Sequence, residues 1–167
     1  MKNIKYLLTI SVLSFMLVVL SGCSISILFV KDKTFTNEGL SITLTNQFYE
    51  KDHISFTSYY ESDRMMVVVI KEKFSSLSMV NITKNSTVED YLKIVISANK
   101  HNTSLKEDSD VPYFTYERSE SGNDFKYFAT AVKGSDSFYL VQFCVISDTY
   151  DKLKDDIVKY ALSMEAE

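Results

Sequence analysis

Two stretches limit what this chain can become: Met65-Met66-Val67-Val68-Val69-Ile70 and Phe138–Ile146. In a β-strand, successive side chains point to opposite faces. Here both parities are apolar. In the second stretch Phe138, Leu140, Cys144 and Ile146 point one way, and Tyr139, Val141, Phe143 and Val145 the other. Such strands must be covered on both faces. They therefore form the centre of a sheet with packing on either side. Gln142 is the one polar residue of its face, so it either bonds across the sheet or marks a small pocket.

The remaining elements follow from spacing. Leu40, Ile42 and Leu44 alternate with Ser41, Thr43 and Thr45, which predicts a half-buried strand within Thr34–Asn46, introduced by a turn at Asn37-Glu38-Gly39. Residues 54–74 read as a hairpin turning at Glu61-Ser62-Asp63, with its second strand central. Ser86-Thr87-Val88-Glu89 has the form of a capping box led by Ser86. Behind it Val88, Tyr91, Leu92, Val95 and Ala98 make one helical stripe ending near Asn99. Residues 100–110 are polar and loop. Tyr113–Arg118, Phe125–Val132 and Ser137–Ser147 read as a meander, with turns at Ser121-Gly122-Asn123 and Gly134-Ser135-Asp136 whose residues tolerate positive φ. Asp148 is placed to cap a last helix with the stripe Tyr150, Leu153, Ile157, Ala161 and Met164. The expected fold is α+β: an antiparallel sheet of about six strands sandwiched by helices.

The N-terminus decides location. Lys2 and Lys5 precede an apolar run from Tyr6 that closes on Leu20-Ser21-Gly22-Cys23. A basic flank, a short apolar core and a small-residue exit form a secretory signal. The exit resembles the lipobox of bacterial lipoproteins. That resemblance implies a signal peptide over 1–22, a diacylglyceryl group on the Cys23 thiol, added palmitate-type acylation, and a lipidated tether over 23–33. The domain is then 34–167, lipid-anchored to the cell membrane and facing outside the cytoplasm. Tyr6–Leu20 alone is too short to span, at roughly 22 Å of helix against about 30 Å of hydrocarbon. With Ile25–Val30 added, an uncleaved Tyr6–Val30 span is the alternative, and it places the domain on the same side.

The order of strands and helices from Thr34 to Met164 resembles the PsbP-like family. The matching stretches are Glu38-Gly39-Leu40-Ser41-Ile42, Ile70-Lys71-Glu72, Val88-Glu89-Asp90-Tyr91, and Phe138–Cys144 running into a C-terminal helix. The resemblance implies a sheet between helices and a binding or assembly role, with no catalytic motif among the residues that carry it.

Chemistry has few candidates. The net charge is −4 before the signal is removed; losing Lys2 and Lys5 makes the rest more acidic, which argues against nucleic acid. Cys23 and Cys144 are the two cysteines, so a disulfide scaffold and a cysteine-rich zinc site are excluded. His53 and His101 lie in polar surroundings without metal-ligand spacing. Gly39, Gly122 and Gly134 fall in turns and make no phosphate loop. The acidic run Glu107-Asp108-Ser109-Asp110 lacks the glycine and distal glutamate of a calcium loop. Cys144 reads as a buried, inert thiol. No cofactor or metal is expected. An enzyme would need Gln142, His53 or the 107–110 loop to converge in a cleft.

The expectation is a non-catalytic, membrane-anchored module that binds a protein or another envelope component, with a small-ligand receptor serving a transporter as the alternative. The anchor has a direct test. Cys23→Ala should leave the precursor uncleaved and unlabelled by a palmitate analogue; a mutant running at the mature mass would exclude the lipobox.

Overall fold

The computed structural model describes residues 30–167; residues 1–29, and with them Leu20, Ser21, Gly22 and Cys23, lie outside it. β1 (Asp32–Asn37) and β2 (Leu40–Thr45) form a hairpin. Glu38 and Gly39 both have positive φ at its turn. β3 (Tyr49–Glu50), β4 (Ser58–Glu61) and β5 (Met66–Lys73) follow. A short α1 (Phe74–Leu77) and one 3-10 turn (Ser78–Val80) lead on to α2 (Val88–Ala98). β6 (Tyr113–Glu120), β7 (Asn123–Lys133) and β8 (Ser137–Ile146) make the meander. The chain ends with α3 (Tyr150–Leu162) and β9 (Glu165–Ala166).

There are two antiparallel sheets: six strands in the order β3-β4-β5-β8-β7-β6, and three in the order β1-β2-β9. β5 and β8 are neighbours at the centre of the larger one, as their two-sided apolar pattern requires. Their register runs from Met66 opposite Cys144 to Lys73 opposite Ser137. On one face Val67, Val69, Val141, Phe143 and Val145 are buried beneath the small sheet (Phe35, Leu40, Ile42, Leu44) and α3 (Leu153, Ile157). On the other face Phe138, Leu140, Ala129, Ala131 and Phe114 are buried beneath Tyr91, Leu92 and Val95 of α2. The α+β class is as expected.

Four details differ from the sequence expectation. First, the strand at Leu40–Thr45 is not in the six-stranded sheet. Its alternation fixes one buried face but not its neighbours; a tight turn pairs it with β1, and β9 closes its other edge. Second, the helix cap is Thr87, not Ser86. Thr87 Oγ1 accepts from the Asp90 amide and Asp90 accepts from the Thr87 amide, while Ser86 Oγ accepts from the Thr83 amide in the preceding turn. Both registers satisfy the same sequence pattern. Third, Asp148 does not cap α3; it sits in a 3-10 turn, and the residue before the helix is Thr149, whose hydroxyl donates to Ile146 O. Fourth, Gly134 is not needed for positive φ but for closeness: a Cβ there would lie 2.6 Å from Glu167 O.

The cap correction has a simple check. Thr87→Ala should lower stability by about 1 kcal/mol in urea unfolding, and Ser86→Ala, which leaves the helix cap intact, should cost less.

Candidate functional site

α2 is shorter than the sheet beneath it. Its stripe covers the sheet from Phe138 to Phe114 and then stops. On the far side of the helix, α1 and the following turn carry the chain off β5, leaving Met79 88% exposed and Val80 42% exposed. Between these elements and the strands lies a half-open groove of about 520 Å³. Ile70, Leu140, Leu77, Met79, Val80 and Ile94 give it apolar surface.

Polar groups stand at its two ends. At one end Tyr91 stacks flat on Phe138, with ring centroids 4.6 Å apart, and its phenol donates to the Glu72 carboxylate. Burial pushes the Tyr91 phenol far above its ordinary pKa, and the bond to Glu72 adds to this. At the other end Tyr116 donates to Gln142 Oε1 at 2.5 Å. That bond orients the amide, whose Nε2 has no hydrogen-bond partner among the described residues. The Tyr116 ring lies between Tyr127, at 4.5 Å, and His101, at 4.1 Å. Burial raises the Tyr116 phenol to about 12.

Arg118 completes this end. It is the one Lys or Arg lining the groove and forms no ion pair among the described residues. Burial lowers the His101 pKa, and the Arg118 charge lowers it further, so the imidazole is neutral at pH 7. The strand register separates the two ends. Glu72 is opposite Phe138, and Arg118 is opposite Phe125, itself opposite Ile146. Eight residue steps along β8 amount to roughly 26 Å of backbone at about 3.3 Å per residue.

Two residues singled out in the sequence thus meet in one groove, Gln142 and His101. His53 does not join them. It is exposed, stacked at 4.3 Å on Phe56, with Nδ1 accepting from the Ser55 amide. Nor does the 107–110 loop, which borders a separate, shallower depression against Lys154 and Lys159 of α3. Cys144 is buried, as expected, at 2% exposed, and burial raises its thiol pKa. Sequence reasoning missed Arg118, Glu72 and Met79. Arg118 and Glu72 were legible as strand polars, but nothing in their spacing ties β6 to the end of β5.

No protein-family model matches the sequence, and no curated protein matches it. Similar solved structures exist. A protein from Bacteroides thetaiotaomicron VPI-5482 is 13% identical, with a TM-score of 0.55 over 81% of this chain and 48% of that longer one. The solution structure of a cyanobacterial PsbP (CyanoP) from Synechocystis sp. PCC 6803 is 12% identical, with a TM-score of 0.47 over 83% of this chain and 92% of that one. LpqN, involved in cell envelope biogenesis of Mycobacterium tuberculosis, is 8% identical, with a TM-score of 0.40 over 81% and 90%. The first likeness is one of fold. The other two fall below 0.5 and bear on nothing further. Among the described residues no helix is long and apolar enough to cross a membrane.

The electrostatics of the groove are testable by NMR titration. His101 should titrate below the ordinary value near 6.5, and Arg118→Gln should move it upward. The depressed value means that the unfolded chain binds this proton more readily. The contribution of neutral His101 to stability is therefore complete above about pH 6.5 and is lost as pH falls through the folded value. His101→Gln should flatten that part of the pH–stability curve.

Proposed function

We propose that this chain is a non-catalytic binding module, held at the outer face of a cell membrane by a lipid on Cys23, whose groove between α2 and the sheet takes an envelope component or a segment of a protein partner. The groove itself carries the reading. At about 520 Å³ it is of ligand-site size, and it pairs exposed apolar surface at Met79 and Val80 with Arg118, a cation that forms no ion pair among the described residues.

The chemistry of its polar groups supports binding over catalysis. A nucleophile needs a lowered pKa or a neighbouring base poised to take its proton. Here the phenols of Tyr91 and Tyr116 are shifted upward and already donate to Glu72 and Gln142. These pairs hold a floor in place. A lipid on Cys23 would keep such a domain concentrated at the membrane surface, since two acyl chains anchor stably where one does not. A receptor for a small ligand is the second reading. The same groove volume favours it, although the described residues supply no second lobe to close over a ligand.

A photo-crosslinking side chain placed at Met79 in intact cells tests the site. A discrete adduct should form from this position and not from the exposed Asp156 on α3. The same diffuse pattern from both positions would remove the groove from consideration.

A further inference from the structure

We infer that the groove holds a fatty acid, its carboxylate paired with Arg118 and its aliphatic tail lying between α2 and the Leu77–Val80 segment. This rests on the groove being the binding site. Charge is the first argument. Arg118 is the one cation lining the groove and has no carboxylate partner among the described residues. A guanidinium presents a planar fork that matches a carboxylate. Gln142 Nε2, which has no hydrogen-bond partner among the described residues, adds a neutral donor midway between the two ends. At the opposite end the Glu72 carboxylate repels a second anion. The field therefore sets the direction of the ligand, with the head at Arg118 and the tail towards Leu140 and Ile70.

The apolar wall favours an aliphatic tail. Along Ile70, Leu77, Val80, Ile94 and Leu140 the side chains offer no donor or acceptor, so amides of an extended peptide buried against them would go unpaired, which is costly. An aliphatic chain brings none. Its lining reaches from Glu72 on β5 to Arg118 on β6. Met79, 88% exposed, stands at its rim, and an unbranched thioether adapts readily to a chain laid beside it.

The test uses the full-length chain in native membranes and a fatty acid carrying a mid-chain diazirine and a terminal alkyne. Adducts should concentrate on residues 77–80 and 94–98. Dodecanoate should compete and dodecanol should compete about tenfold less well, the ratio given by one charge-assisted hydrogen bond. Arg118→Gln should reduce labelling about tenfold, and Arg118→Lys, which keeps the charge but loses the planar fork, should fall between that variant and the native chain. Equal competition by dodecanol, or unchanged labelling of Arg118→Gln, would overturn the inference. So would probe adducts scattered outside the groove while a crosslinker at Met79 captures a protein, an outcome that leaves the groove standing as a binding site.

Discussion

The structure depends on one pairing, β5 against β8. Eight consecutive residue pairs, Met66–Cys144 to Lys73–Ser137, join the two most apolar segments of the described chain. Fully buried side chains there contribute roughly 1.5–3 kcal/mol each. They face both ways, so neither strand could sit at an edge or against solvent. Every other element acts as cover for this pair, by extending the sheet sideways or by packing on a face. The small sheet with α3 takes one face; α2 takes the other.

The two covers are unequal, and that inequality makes the groove. β8 has ten residues and α2 eleven. A strand rises about 3.3 Å per residue and a helix about 1.5 Å. The helix therefore spans roughly 16 Å of a strand of roughly 33 Å. Where it stops, the sheet face changes character: Leu140 gives way to Gln142, and Phe114 to Tyr116. Aromatic stacking of Tyr127, Tyr116 and His101 substitutes for helical cover at the outer strands. The α1 segment, drawn off β5 at Phe74 where its amide bonds Asp136 O, supplies the opposite wall. The groove thus arises from a mismatch of lengths between two regular elements.

Much of this was legible from periodicity alone. Two-faced apolar strands announced a buried centre, and the centre is where they lie. Of the stripe Val88, Tyr91, Leu92, Val95 and Ala98, the middle three are buried on the covering face of α2 and Val88 packs beside them, while Ala98 at the helix end is exposed. Ser121 and Gly122 sit at a turn with positive φ, as their types suggested. The errors share a cause. Ser86 and Thr87 present the same capping chemistry one residue apart, and the choice is made by the turn before them, where Thr83 engages Ser86. Leu40, Ile42 and Leu44 show which face is buried, but an alternating pattern is identical in any sheet.

The sequence by itself determined the strand centre, the helix faces, the order of elements and the absence of a disulfide framework, because each is written in local spacing or in residue counts. Tertiary structure alone decided that β1, β2 and β9 stand apart as a second sheet, and that Glu72, His101, Arg118 and Gln142 border one groove while His53 and the 107–110 loop do not. Those residues come from separate strands and a loop. Their proximity is set by strand order and register, and the hydrogen bonds that fix a register join backbone groups that every residue type carries alike.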